Sequence, residues 1–174
     1  ELPRVANALR RNGTPFTLDI YGRGAQEDSL RREISRLGLQ DQVQLRGAMD
    51  FDTGWIPTLK NNVDVFVCCH PQGDPSSTYP EVMSCGVPIV GYDNEAFVGM
   101  VRESRSGWLA PINDADAVAT VIQRLHQERA DVAASARAAR NFAALHAFEL
   151  TFAARTKHLI RSSRLPSSLR QQLG

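Results

Sequence analysis

The chain has 174 residues, 43% of them hydrophobic and 22% charged, with a formal charge of +1. It is long enough for one domain with a core of its own, and it lacks the basic excess that marks a nucleic-acid-binding surface. No apolar run approaches the ~20 residues that a membrane-spanning helix needs. The cysteines, Cys68, Cys69 and Cys85, are odd in number and have no zinc-type spacing. They read as buried, reduced thiols, which places the chain in the cytoplasm.

Leu2, Val5, Ala6 and Leu9 share one face of a helix over residues 2–12, and Gly13 stops it. The chain opens in the middle of this pattern without Met, so it reads as a piece of a longer protein. FTLDIY at 16–21 has the β-formers and alternation of a strand. After GRG comes a helix with Leu30, Ile34 and Leu37 at helical spacing and Gly38 as its cap. VQLRG at 43–47 is a second strand, and 51–61 is weakly helical. VDVFVCC at 63–69 is apolar throughout its length bar Asp64, the pattern of a strand buried on both faces. The loop HPQGDPSS follows, then a short helix from about Thr78 to Cys85, and VPIVGY at 87–92 is another doubly buried strand. A helix at 96–103 leads through Gly107 to the strand WLA at 108–110. Asn113 then caps a helix with Val118, Val121, Ile122 and Leu125 on one face. Helices at 130–144 and 148–163 precede a polar tail, 164–174.

Strands that alternate with helices predict an α/β, Rossmann-like, doubly wound parallel sheet. In such a sheet ligands bind outside the carboxyl ends of the strands. Function is therefore expected in the loops after Tyr21, Cys69 and Tyr92. The richest of them runs through Gly73, Asp74, Pro75, Ser76 and Ser77 into the helix that opens at Thr78 and Tyr79. The first amides of a helix lack internal partners and carry the positive end of its dipole, a setting that suits phosphate. Hydroxyls of Ser76, Ser77 and Thr78 add donors, and Glu81 lies one turn inside the helix. The combination suits a diphosphate with polar groups at each end, although the same residues also serve as simple caps.

Gly22 and Gly24 form a strand–GxG–helix turn, but the third glycine of a dinucleotide fingerprint and the acid after the next strand are absent, which rules against NAD. Gly47, Ala48 and Met49 end the second strand where backbone could approach a flat base, or simply turn. His70 has a place near the phosphates or a structural one. Trp55 and Trp108 read as packing residues. The basic residues from Lys157 to Arg170 form a solvated face, with contact to an anionic membrane as the alternative.

Taken together, IYGRG (20–24), VQLRGAM (43–49), the stretch from Val63 to Asp93 with its core PEVMSCGVPIVGYD, and SGWLAPINDADAVATVIQRL (106–125) resemble the C-terminal domain of family-4 type retaining glycosyltransferases of the GT-B fold. The likeness runs from about Leu2 to Leu159. It implies that residues 1–163 are a donor-binding domain, with Glu81 on the nucleotide ribose and the amides before it on the phosphates. In the family a first Glu eight positions earlier contacts the donor sugar. Gly73 stands there in this chain, and Asp74 is the acid that takes the role. Asn94, Glu95 and Ala96 replace the paired glycines common in the family. The predicted catalytic residues are thus Asp74 and Glu81. The predicted donor contacts are Gly22, Gly24, Gly47, Ala48, Met49, Gly73, Pro75, Ser76, Ser77, Thr78 and Tyr79.

The likeness further implies hexosyl transfer from a UDP- or GDP-sugar with retention, in envelope or exopolysaccharide synthesis. No metal and no cofactor are expected. The partners are the nucleotide sugar and an N-terminal acceptor domain of the same protein, with the whole at the inner face of the plasma membrane. A GT-B epimerase domain or a non-catalytic nucleotide-binding module is the alternative. The family's first, central strand has no counterpart in the sequence. Its absence would leave two strand edges unpaired, to be filled by residues upstream or by a strand of another chain.

Overall fold

The first helix, α1 (Leu2–Arg11), buries Val5, Ala6, Ala8 and Leu9 along one face and is closed by Gly13 at φ +68°. In the computed structural model, which describes residues 1–73 and 77–163, the chain continues as β1 (Leu18–Tyr21), α2 (Glu27–Arg36), β2 (Val43–Gly47), a π-helical turn (Phe51–Trp55), α3 (Ile56–Asn62) and β3 (Phe66–Cys68). Then come α4 (Thr78–Ser84), β4 (Ile89–Tyr92), α5 (Glu95–Ser104), β5 (Trp108–Ala110), α6 (Ala115–Gln127), α7 (Arg129–Leu145) and α8 (Phe148–Ser163).

All strand pairs are parallel. β1 lies beside β2, with Leu18 opposite Val43 and Tyr21 opposite Gly47. β4 is central in a second sheet, with Val67 of β3 opposite Val90 and Trp108 of β5 opposite the same residue on its other side. β1 and β3 do not pair. A cleft of about 700 Å³ lies between them, walled by β1 and the approach to β3. The expected α/β parallel architecture is present, and so is the expected interruption at its centre.

Helices cover both faces, as a parallel sheet requires. On one face α1 and α6 pack on β4 and β5 through Val5, Leu9, Val90, Tyr92, Ala110, Val118 and Leu125. On the other face Leu59, Tyr79, Val82, Met83, Ile89, Phe97 and Ala139 form a separate core. A third, smaller core of Ala6, Ile34, Leu39 and Val43 seats α2 against β1 and β2. Phe16 touches the first and third cores, so the turn into β1 couples the two sheets. Arg11–Asp116 and Arg129–Asp64 ion pairs tie α1 to α6 and α7 to the start of β3.

α4 ends in a left-handed turn at Gly86 (φ +79°), where Val87 N–H reaches back to Val82 C=O. A Cβ there would also sit 2.8 Å from Cδ of Arg140, so both conformation and space favour glycine. This is the Gly-x-Pro entry into β4, whose four residues are all buried.

Three expectations need correction. The apolar run 63–69 yields a ladder of only Phe66–Cys68, and Phe66 and Val67 are only half-buried, because the cleft leaves one edge of β3 uncovered. The strand at 16–21 is likewise trimmed to Leu18–Tyr21. Asn113 does not cap α6. It takes φ +64°, and Asp114 supplies the cap, its Oδ1 accepting from Ala117 N–H at 2.8 Å. The tail 164–174 lies outside the described residues. No described helix is long and apolar enough to cross a membrane. α8 turns Phe148 and Phe152, stacked at 5.6 Å, toward solvent.

Candidate functional site

Because all strands run the same way, their carboxyl ends meet along one edge. β1 leaves at Gly22, β2 at Gly47, β3 at Cys69 and His70, and β4 at Asp93. Gly22 and Gly47 are joined directly, Gly22 N–H donating to Gly47 C=O at 2.9 Å, and both have positive φ (+128° and +71°). These two turns and Ala48 and Met49 border the cleft, and Thr78 meets it from the start of α4. A smaller adjoining cleft is bordered by Glu1, Cys69, His70, Thr78 and Tyr79. The structure therefore brings Gly22, Gly47, Ala48, Met49, Thr78 and Tyr79 to one mouth. Gly24, Gly73, Ser77 and Glu81 are at the same edge without lining either cleft. Asp74, Pro75 and Ser76 lie outside the described residues.

α4 is built to present its amino end. Glu81 N–H donates to Ser77 C=O at 3.1 Å, and Pro80 has no amide to offer. Ser77 does not cap the helix with its side chain. The Tyr79 side chain turns away from the helix start into the core. Its ring is 2% exposed, packs on Phe97 at 5.6 Å, and its hydroxyl lies 2.8 Å from Sγ of Cys68. Glu81 is half-buried, and its carboxylate makes no hydrogen bond or ion pair to a described residue. Its backbone carbonyl accepts from Ser84 Oγ at 2.7 Å.

Asn94 fixes the loop after β3. Its Oδ1 accepts from Phe97 N–H at 2.9 Å and caps α5, while its Nδ2 donates to His70 C=O at 3.0 Å. Gly73 packs against the same helix start: a Cβ at 73 would lie 3.3 Å from Ala96 N and 3.5 Å from Cβ of Glu95. The two departures from the family pattern thus touch each other. A bare glycine at 73 faces side chains at 95 and 96, and a longer residue at 73 would crowd the amino end of α5.

Three further polar residues stand at this edge, two of them recognisable only from the fold. Arg23 reaches over Gly47, its Nε 3.9 Å from where a Cβ there would stand, and it has no ion-pair partner among the described residues. His70 borders both clefts. Glu95, in the first turn of α5, has its Cβ beside Gly73. Strand-end position marks His70 in the sequence; the other two depend on contacts between distant segments. Trp55 packs edge-on against Tyr21 at 5.6 Å and Phe66 at 6.4 Å, bridging the two sides of the cleft. Burial beside Cys68 pushes the Cys69 thiol up to about 11, and burial together with its hydrogen bond to Glu1 pushes the Tyr92 phenol up as well. These two groups are neutral near pH 7 and act as wall rather than as acid or base.

Residues 2–142 match the family described as "Glycosyl transferases group 1". The chain is 31% identical over 138 residues to the amylovoran biosynthesis glycosyltransferase AmsK of Erwinia amylovora, a match that covers 76% of this chain and 33% of that protein. It is 30% identical over 102 residues to the GtfA subunit of the UDP-N-acetylglucosamine–peptide N-acetylglucosaminyltransferase of Streptococcus gordonii, covering 56% of this chain and 19% of that one. Among solved structures, Anabaena HepE in complex with UDP and glucose superposes with a TM-score of 0.74 at 22% identity, over 92% of this chain and 44% of HepE. The chain therefore spans a third or less of these two relatives and shares its fold with part of a GT-B glycosyltransferase. It belongs to the group 1 glycosyl transferase family.

Proposed function

We propose that residues 1–163 are the donor-binding, C-terminal domain of a retaining GT-B glycosyltransferase, which moves a sugar from a UDP-sugar to an acceptor held by another domain of the same protein. The observation that carries the reading is the meeting of the Gly22 and Gly47 turns with the amino end of α4 at one mouth. Family membership and a relative solved with UDP support the choice of nucleotide. In this reading the Gly47–Met49 backbone lies along the base and Glu81 accepts from the ribose hydroxyls. The amides around Ser77, Thr78 and Tyr79 meet the diphosphate. Asp74 contacts the donor sugar, with Pro75 and Ser76 completing that loop and Gly24 and Gly73 leaving room. Arg23 adds a positive charge near the phosphates.

The chemistry asked of this half is electrostatic. Breaking the anomeric bond places negative charge on the departing diphosphate, and fixed N–H dipoles stabilise that charge without reorganising. Helix-terminal amides and basic side chains do this in place of a metal, and no cofactor takes part. Two relatives named for amylovoran and colanic acid synthesis support a role in envelope polysaccharide assembly, at the cytoplasmic face of the membrane. The test is a calorimetric titration of the whole protein with UDP and GDP, followed by product analysis of the anomer formed from the UDP-sugar. UDP binding and a retained configuration are expected. Heat with neither nucleotide, or an inverted product, overturns the proposal. Conversion of the nucleotide sugar without any acceptor would point to an epimerase instead.

A further inference from the structure

The carboxyl edge of the strands has a direction. The strands stand in the order β2, β1, β3, β4, β5, with the cleft between β1 and β3. A nucleotide sugar placed as proposed above, with its base at the β2 turn and its diphosphate at the start of α4, crosses this edge from β2 toward β3. The sugar then continues to where the loop after β3 leans on the turn from β4 into α5. That contact is close. A Cβ on Gly73 would stand 3.3 Å from Ala96 N and 3.5 Å from Cβ of Glu95. Asn94 Nδ2 holds His70 C=O of the same loop at 3.0 Å. The space beside Gly73 is thus edged by the stem of Glu95.

The polar side chains of this turn differ in how they are engaged. Asp93 Oδ1 accepts from Ile112 N–H at 3.1 Å. Asn94 uses its oxygen on Phe97 N–H at 2.9 Å and its nitrogen on His70. Glu95 is exposed, and its carboxylate makes no hydrogen bond or ion pair to a described residue. A carboxylate in the first turn gains from the helix dipole. The cap itself is Asn94, so α5 does not call on Glu95 for a capping hydrogen bond. An ionised carboxylate is an acceptor only. It suits a neutral sugar, whose hydroxyls donate to it, and repels a sugar that bears a carboxylate of its own.

We infer that Glu95 is a specificity-determining residue of the donor site, accepting from the hydroxyls of a neutral donor sugar and disfavouring an acidic one. The inference rests on the reading of this edge as a UDP-sugar site and adds to it a carboxylate from α5. The test is calorimetric titration of the whole protein, and of its Glu95→Gln and Glu95→Lys variants, with UDP, UDP-glucose and UDP-glucuronate. UDP alone should bind all three proteins alike. The unaltered protein should prefer UDP-glucose to UDP-glucuronate. Glu95→Gln should cut that preference roughly tenfold, and Glu95→Lys should shift it further toward UDP-glucuronate. A residue that served only the helix dipole would change the melting temperature and leave the ratio of the two affinities as it was. An unchanged ratio, with UDP still bound, overturns the inference and leaves the nucleotide reading standing. Weaker binding of UDP itself by Glu95→Gln also overturns it, because the carboxylate would then act on the nucleotide and not on the sugar. No binding of UDP by the unaltered protein overturns both.

Discussion

Asn94 offers a clean separation of two roles held by one side chain. It is 2% exposed and makes two bonds in opposite directions, one to its own helix and one to the loop after β3. Replacing it by Ala removes the cap on α5, worth about 1 kcal/mol, and the bond to His70 C=O, worth about 1 kcal/mol more. Ser keeps an oxygen that can accept from Phe97 N–H but is too short to reach His70. The expected losses are therefore about 2 kcal/mol for Asn94→Ala and about 1 kcal/mol for Asn94→Ser. For a chain of this size they lower the melting temperature by roughly 4–8 °C and 2–4 °C. Circular dichroism gives the melting temperatures, and hydrogen exchange reads residues 70–73, which both variants should loosen equally. Equal destabilisation by Ser and Ala, or a loop unaffected by either, would refute the argument that the amide tethers the loop independently of capping α5.

Gly91→Ala should cost about 2 kcal/mol, because a Cβ there meets the backbone oxygen of Cys68 at 2.7 Å and the Phe97 ring at 3.1 Å. Gly99→Ala, in open space within α5, should stabilise by about 0.5–1 kcal/mol. Urea midpoints of the pair decide both, and a loss at Gly99 or none at Gly91 would contradict the packing described. Ser135→Ala strips Gly107 N–H of its acceptor at 2.9 Å and removes the hydroxyl contact with Ser106 at 3.1 Å, while Ser106 Oγ keeps the Ser135 carbonyl at 3.0 Å, and chemical unfolding should register a loss of about 1–3 kcal/mol. The Cys69 thiol titrates near 9.0 when unfolded and about 11 when folded, so the unfolded chain gives up its proton first as pH rises. The stability this group contributes is complete below pH 9.0 and is lost as the pH rises through about 11. Unfolding free energies at pH 8 and pH 10.5 should show the decline, and Cys69→Ala should reduce it.

The sequence carried the fold wherever a single segment decides its own structure. The Leu2–Leu9 face of α1, the Val118–Leu125 face of α6 and the buried β4 each follow from apolar spacing alone. It failed where two neighbours compete or where a distant segment decides. Asn113 and Asp114 are both good caps, and only the left-handed turn at Asn113 selects the second. The apolar run at 63–69 indicates a covered strand. In this chain one of its edges lies open, so β3 is short and half-exposed. At the candidate site, the glycine turns and the start of α4 were legible because strand ends and helix starts have local signatures. The contact of Gly73 with Ala96, the reach of Arg23 over Gly47 and the hold of Asn94 on His70 join residues 23 or 24 positions apart, and nothing local announces them.

The most direct measurement is UDP affinity of the whole protein carrying Glu81→Gln. This carboxylate has no described partner, so the substitution should leave the melting temperature unchanged while removing a charge-assisted bond to the ribose. A bond of that kind is worth about 1.5–3 kcal/mol, so UDP should bind roughly tenfold to a hundredfold more weakly. Unchanged affinity for UDP in the variant would contradict the placement of the nucleotide against the first turn of α4.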